Sequence, residues 1–424
     1  MDFLNKINAV EKIRDPIYGF IFLTKEECKL IDLPIFQRLR RIHQLALTKY
    51  VYPSAEHSRF VHSLGVMQAA TMIFIEIFKN NEKAFEKDET EILTDLKILR
   101  FAALLHDIGH LPFSHAAEKL LLSGGKHEDL SKYIIDNDCA IKEILNENRI
   151  FYEEVSDLII GTSSDKVLQR IISGEFDADR ADYLLRDSYC CGVQYGVYDL
   201  LRYVSSFKIT DSANIMIKED NIAIIESLIT ARYYYNQQVI YHRTRQAYNI
   251  ALRNYIAEQK EIFPRFSMKN NIDINNELLW FDDYTIIEQA KNDIQKQNSQ
   301  WAKYILRLEH LKCFEQFMSE TDKEVKSNLD SELMKSGFQI DKDYFQEAVK
   351  TSHHKLSEST DENDESIKYE VDTRYGRRKK NLMDYSPILR GLSQHNQMTR
   401  YFCKEKEKEK FTDIVNKING GSNV

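Results

Sequence analysis

The stretch "FAALLHDIGHLPFSH" (101–115) sets three histidines and an aspartate inside an otherwise apolar run. The residues leading into it, "EILTDLKILRFAALLHD" (91–107), repeat apolar side chains three and four apart, which predicts a helix closing at His106 and Asp107. Gly109 and Pro112 interrupt that pattern and "HAAEKLLL" (115–122) resumes it, with Ser114 expected as N-cap and Glu118 near the first turn. A single histidine in a helix is usually structural. His106, Asp107, His110 and His115 together within ten residues ask for another account. Imidazole with carboxylate suits divalent transition metals such as Zn, Fe, Mn or Co, and a bridging aspartate can serve two ions. The spacing is neither a thiolate zinc pattern nor H-E-x-x-H, so further ligands must come from distant helices.

Outward from this break, most of residues 20–260 has helical periodicity, including "RFVHSLGVMQAATMIFIEIFK" (59–79) and the segment 226–259. A strand pair is expected over roughly 205–226, "SSFKIT" and "NIMIKEDNIAIIE", with "KEDN" as its turn. Residues 270–334 read as helical and lysine-rich, about 349–366 as an exposed loop, and 369–389 as basic and turn-rich before an amphipathic, charged tail. The 424 residues, 43% hydrophobic, are enough for about two or three domains and a sizeable core. Six cysteines without a C-x-x-C pair favour a reducing compartment. The N-terminus lacks the apolar run of a signal peptide and no 18-residue apolar stretch follows, so a soluble cytoplasmic protein with no membrane partner is expected. A net charge of -8 provides no global attraction to nucleic acid, and there is no GxxxxGK phosphate loop.

In order along the chain stand "IRDPIYGF" (13–20), "FQRLRRIHQLA" (36–46), "YPSAEHSRFVHSLGV" (52–66), "LLHDIGHLPFSH" (104–115), "KHE" (126–128) and "GEFDADRADYLLRDSYCCGV" (174–193). With these motifs the sequence resembles the HD-domain phosphohydrolases, in the branch of the bacterial and mammalian deoxynucleoside triphosphate triphosphohydrolases. The resemblance covers roughly residues 10–260 and leaves the C-terminal third undiagnosed. It implies metal ligation by His62, His106, Asp107 and Asp179, which the helical pattern places on three separate helices. It implies catalytic-pocket roles for His110, His115 and His127, with His115 nearest the leaving group, and phosphate contacts for Arg59 and Arg180. Tyr183 and Asp187, four apart on one helical face, are implied at the deoxyribose, above Gln44 and Leu45. Asp15, Gln37 and Arg40 fall where regulated relatives bind a guanine nucleotide between subunits.

Two departures stand out: the mammalian members carry lysine at the position of Arg180 and glycine at that of Ala46. Each candidate also has a plain structural role open to it: Asp179 as a helix cap, Tyr183 as core, Asp187 as a surface charge, Asp15 as a turn residue before Pro16, Arg40 as a surface pair.

The expectation is a mainly α-helical HD-domain core over 1–260 and a smaller mixed α/β region over 261–424 with an oligomerisation or regulatory role. The expected reaction is metal-dependent hydrolysis of a deoxynucleoside triphosphate to deoxynucleoside and triphosphate, with Mn, Fe, Zn, Co or Mg as the ion. A second ion, a GTP or dGTP activator and a homodimer or homotetramer belong to the same expectation. The rivals are another HD-type nucleotide phosphohydrolase or phosphodiesterase, and a nucleotide-sensing module with weak catalysis.

Overall fold

The computed structural model describes residues 7–80, 87–174, 177–209, 215–318, 322–351, 370–373, 376–379, 386–392 and 396–420. An N-terminal antiparallel hairpin, β1 (Glu11–Asp15) and β2 (Gly19–Leu23), pairs Asp15 with Gly19. Its turn is fixed by Asp15 Oδ1, which accepts from the backbone N–H groups of Ile17 (2.8 Å) and Tyr18 (3.0 Å), and by Gly19 at φ 76°.

The centre of the molecule is α1 (Arg59–Asn80), whose apolar residues face neighbours on nearly all sides. Among the described residues it is the one helix long and apolar enough to cross a membrane, and most of it is buried against other elements, as in a core helix. Against α1 pack α2 (Glu89–Leu105), opened by a capping box between Asp88 and Glu91, and several later helices. Of the later helices, α3 (His127–Asn137) and α4 (Tyr152–Ile160) pack on one another and α4 on α2, while α5 (Lys166–Ser173) and α6 (Ala178–Cys191) pack on α1, α6 being capped by Asp177 and closed by Gly192 at φ 69°. α6 lies along α1 because Gly65 has no side chain: a Cβ there would stand 1.9 Å from Asp182 Oδ1.

The strand pair forms as β3 (Phe207–Ile209) and β4 (Ile215–Lys218), but "KEDN" is not its turn. Glu219–Asn221 is a 3-10 turn that leads into α7 (Ile222–Tyr235), so "NIAIIE" is mostly helix. Its β-branched residues read as strand, yet it is buried on several faces and packs against helices, and that tertiary setting decides. A wide turn at Asn236–Ile240 separates α7 from α8 (Arg243–Glu258), and α9 (Asp283–Lys296) follows.

The stretch expected to be helical to residue 334 contains a strand, β5 (Leu311–Phe317), before α10 (Lys323–Lys335). β6 (Tyr344–Thr351) takes in the start of the expected loop, most of which lies outside the described residues. β7 (Glu370–Thr373) and β8 (Gly376–Lys379) join β3 and β4 in one sheet, and β9 (Asn396–Lys404) is the middle strand between β5 and β6. α11 (Lys408–Gly420) buries Phe411 and Val415 on that second sheet.

The fold is therefore mainly α-helical, with strands concentrated late in the chain. Its main apolar core takes residues from Ile7 to Ile305, together with Leu389, and a smaller core lies between the β5–β9–β6 sheet, α10 and α11. Ala247, Ile250, Tyr304 and Phe402 link the two.

Candidate metal centre and its pocket

The first turn of α1 provides Arg59 and His62, the end of α2 provides His106 and Asp107, and the first turn of α6 provides Asp179. His62, His106 and Asp179 each present one donor atom, all within 4.8 Å of one another. His62 Nε2 lies 3.0 Å from Asp179 Oδ1 and 3.6 Å from Asp107 Oδ2; His106 Nε2 lies 3.3 Å from Asp107 Oδ1. Both imidazoles are oriented from behind, His62 Nδ1 against Asp182 Oδ2 (2.8 Å) and His106 Nδ1 against the Ala103 carbonyl (2.8 Å). Their Nε2 atoms are buried and make no well-aligned hydrogen bond, facing only the Asp107 and Asp179 carboxylates. Two such ring nitrogens turned toward two carboxylates fit a divalent cation bound by His62, His106, Asp107 and Asp179.

Asp182 does more than face His62. It also accepts from Arg186 Nε (2.8 Å) and Nη2 (2.9 Å), while Arg186 Nη1 donates to Asp15 Oδ2 (2.8 Å). The N-terminal hairpin is thereby tied to the metal centre through buried charges.

A second cluster, His110, His115 and His127, again places three ring nitrogens within 4.8 Å of one another. His110 and His127 stack at 3.8 Å and 15°. Their approach depends on Gly109, where a Cβ would stand 2.3 Å from the His127 carbonyl oxygen and 2.4 Å from Ser131 N. Ser131 Oγ accepts from Gly109 N–H (2.9 Å) and donates to the His106 carbonyl (2.8 Å), joining α3 to the turn. His127 Nδ1 lies 2.9 Å from Glu118 Oε2 and His115 Nδ1 lies 3.5 Å from the same oxygen.

Ser114 is not an N-cap. Phe113 (φ 58°) and Ser114 (φ 49°) are both left-handed, and the Ser114 hydroxyl accepts from Arg59 Nε (3.0 Å), because the chain must turn sharply to deliver His115. Arg59 Nη1 donates to Asp107 Oδ2 (2.6 Å).

The charges sort these groups. Burial favours the neutral acid at Asp107, but Arg59, His106 and His110 outweigh it and hold the carboxyl well below its usual range. Burial and the Arg59 charge push His110 well down, so it is neutral. Burial opposes a charge on His127 too, yet Glu118 and Asp107 raise it. The stacked pair is thus driven apart, His110 downward and His127 upward.

These groups line a pocket of about 550 Å³ with Arg59, Arg180 and Lys126 among its cations and Asp107 and Asp179 in its wall. Arg180 also binds Asp177 and the Gly174 carbonyl. Tyr183, Asp187, Gln44 and Leu45 do not line this pocket. Asp187 is buried between His57 Nε2 (2.7 Å) and the Tyr235 hydroxyl (2.5 Å), and the Tyr183 ring lies 5.9 Å from that of Tyr235. Gln44 N–H donates to the His57 carbonyl (3.0 Å), its Oε1 is buried without a partner, and Leu45 is buried. Asp187, Tyr183, His57 and Tyr235 thus form a buried cluster outside the pocket lining, with the Gln44 backbone attached to it through His57.

Of the regulatory candidates, Gln37 Oε1 accepts from Arg40 Nε (2.8 Å), and the Arg40 guanidinium lies 3.5 Å from the Phe60 ring centre. Asp15 is buried, with its oxygens taken by the turn and by Arg186. The sequence reading gave no site role to Asp182, Arg186, Lys126, His57 or Tyr235, and took Glu118 only as a charge near a helix's first turn. Only Lys126, beside His127, carries a local signal.

The HD domain family model matches residues 59–187, the span that begins at Arg59 and ends at Asp187. An uncharacterized protein of Methanocaldococcus jannaschii is 38% identical over 279 residues, 65% of this chain and 54% of that one. The deoxynucleoside triphosphate triphosphohydrolase SAMHD1 homolog of Dictyostelium discoideum is 29% identical over 328 residues, 73% of this chain and 61% of its own. The chain spans a little over half the length of the curated relatives it matches. The crystal structure of a hypothetical protein from Aquifex aeolicus superposes with a TM-score of 0.79 at 28% identity, over 96% of this chain and 99% of that one. Residues 59–187 are therefore an HD domain, in a chain similar to the HD-domain phosphohydrolases of the deoxynucleoside triphosphate triphosphohydrolase branch.

Proposed function

We propose that this chain hydrolyses deoxynucleoside triphosphates to deoxynucleosides and inorganic triphosphate. The observation that carries the reading is the pair of buried Nε2 atoms of His62 and His106 turned toward the Asp107 and Asp179 carboxylates, beside a pocket of about 550 Å³ that has Arg59, Lys126 and Arg180 in its wall. Similarity to proteins named as triphosphohydrolases supports the choice of substrate. A divalent ion (Mn, Fe, Zn, Co or Mg) held by His62, His106, Asp107 and Asp179 would supply Lewis acidity to phosphate and water oxygens. A second ion could draw on the His110, His115 and His127 cluster.

Arg59, Arg180 and Lys126 attract and hold the polyphosphate. Water oxygen bonds to the α-phosphorus, the bond from that phosphorus to the 5′ oxygen breaks, and the 5′ oxygen takes up a proton. His115, the most open of the three histidines, stands nearest the leaving oxygen, and His127 holds a proton on Glu118. His110, kept neutral, orients the nucleophile. Tyr183, Asp187, Gln44 and Leu45 take the deoxyribose end, with His57 and Tyr235 fixing Asp187.

The same proposal includes a soluble cytoplasmic homodimer or homotetramer with GTP or dGTP bound near Asp15, Gln37 and Arg40. Asp15 already serves the fold there, which leaves Gln37 and Arg40 to meet the ligand. Residues 1–260 form the hydrolase core and 261–424 the oligomerisation or regulatory region, with the main apolar core reaching on to Ile305.

The test is to incubate metal-loaded protein with the four deoxynucleotides, singly and mixed, and to resolve the products. Intact triphosphate is expected, and Asp107→Ala should lose both bound metal and hydrolysis while keeping its helicity. Cleavage of monophosphates or cyclic nucleotides instead identifies the phosphodiesterase alternative, and binding without turnover identifies a sensing module.

A further inference from the structure

We propose that Asp283, far outside the HD motifs, is a positioning residue that fixes the His115 loop and the Gln44–Leu45 loop against one another. Asp283 opens α9 and is 1% exposed. Its Oδ1 accepts from Phe113 N–H at 2.7 Å. Its Oδ2 accepts from His43 N–H at 2.9 Å and lies 2.6 Å from His43 Nδ1. The carboxylate has no duty to its own helix, because Asp282 is the N-cap, accepting from Tyr284 and Thr285 N–H groups. All its described partners are thus 170 and 240 residues away in sequence.

Both partners sit at demanding points of the backbone. Phe113 and Ser114 are left-handed, a conformation that side chains with a Cβ keep only when the surroundings hold them. The hydrogen bond to Phe113 N–H holds the first of the two, immediately before Ser114, which binds Arg59, and His115. On the other side, His43 directly precedes Gln44 and Leu45, and Ala46 at φ 50° follows them. The outer nitrogen of His43 faces Glu56 Oε2 (3.0 Å) and Lys49 Nζ (3.1 Å), so the ring is gripped at both ends.

The neighbouring contacts keep Asp283 in place. Arg38, fully buried, donates to the carbonyls of Ile108, His110 and Phe281, and Arg41 binds Asp282 and the Leu279 carbonyl. The segment 279–283 is thereby clamped to the back of the histidine loop. Asp283 acts through Phe113 and His43 and touches no reacting atom.

The kinetic arm of the test rests on the nucleotide hydrolase reading; the exchange arm does not. The full-length protein, its Asp283→Ala variant and its Asp283→Asn variant are compared by metal content, steady-state kinetics with deoxynucleotides and amide hydrogen exchange. Asp283→Ala should keep its metal but lose about 10- to 100-fold in kcat, since small misplacements of a catalytic group have effects of that order. Exchange in peptides covering 107–116 and 42–46 should speed up at least about 10-fold, with α1 unchanged.

In Asp283→Asn the amide oxygen still accepts from Phe113 N–H while its NH2 meets the His43 N–H, donor against donor. This variant should recover slow exchange over 107–116 and most of kcat, keep fast exchange over 42–46, and raise KM. Native exchange and kinetics in both variants would overturn the proposal. So would an equal loss of protection in α1, which marks a general effect on stability. If the wild type hydrolyses no deoxynucleotide, the hydrolase reading fails and the exchange pattern still decides the role of Asp283.

Discussion

Asp182→Asn separates the support of the metal centre from its ligands. The native carboxylate accepts three N–H groups, from His62 Nδ1 (2.8 Å), Arg186 Nε (2.8 Å) and Arg186 Nη2 (2.9 Å). Asparagine has nearly the same shape, but one acceptor oxygen becomes an NH2 that faces a donor whichever way it is turned. Removing one partner of a buried ion pair costs about 3–5 kcal/mol. Arg186 keeps Asp15 at 2.8 Å, which places the loss near the lower end of that range. At about 2.1 cal/mol/K per residue the 424-residue chain unfolds with an entropy of roughly 0.9 kcal/mol/K, so a loss of about 3 kcal/mol lowers the melting temperature of the metal-free protein by roughly 3–4 °C. The second effect is at the metal, where losing the group that orients a histidine ligand typically costs about 10- to 100-fold in affinity. Metal titration of the folded variant below its melting temperature measures this directly. Affinity within about twofold of native would refute the claim that Asp182 sets the His62 ring for binding.

His57 gives a pH prediction: burial lowers its pKa, but the hydrogen bonds and charges of Asp187 and Cys190 together outweigh burial and raise it to about 9. Its stabilisation is then complete below the unfolded value near 6.5 and disappears as the pH climbs through about 9, a change of roughly 3 kcal/mol. The difference in unfolding free energy between native protein and His57→Gln should shrink across that window, and a flat difference would remove the charged pair. Ala46→Gly should stabilise the fold by about 0.5–1 kcal/mol, since a left-handed residue with a Cβ costs about 1–2 kcal/mol and glycine's extra chain entropy offsets part of the gain. An unchanged or lower denaturation midpoint would show that the turn is not strained at that residue.

The four proposed metal ligands came from the family resemblance, and all of them fall at helix ends: His62 in the first turn of α1, His106 and Asp107 at the end of α2, Asp179 in the first turn of α6. Residues that aim those groups were not legible in the sequence. Asp182 and Glu118 look like ordinary helix-surface charges, and only the packing of α6 on α1, or of His127 over Glu118, gives them a partner. Tyr183 and Asp187 do share a helical face, but the spacing did not reveal that Asp187 is enclosed by His57 and Tyr235, 130 and 48 residues away. Gly65 carries no signal of its own and Gly109 reads only as a break in the helical pattern, because the atoms a Cβ would strike come from other helices. The strand at Leu311–Phe317 was hidden for a similar reason, since its pairing with β9 lies more than eighty residues further on.

Arg38 ties backbone carbonyls at 108 and 110 to one at 281, and that span bears on how the protein is made. Contacts so far apart in sequence carry a large loop-closure cost and form late in folding. During synthesis at about 5–20 residues per second, roughly 10–35 s separate the appearance of the histidine loop from that of Asp283. Through that interval the loop lacks the hydrogen bond at Phe113, and Arg38 lacks its Phe281 acceptor. A nascent chain paused before residue 281 therefore contains every histidine of the pocket without the clasp that arranges them.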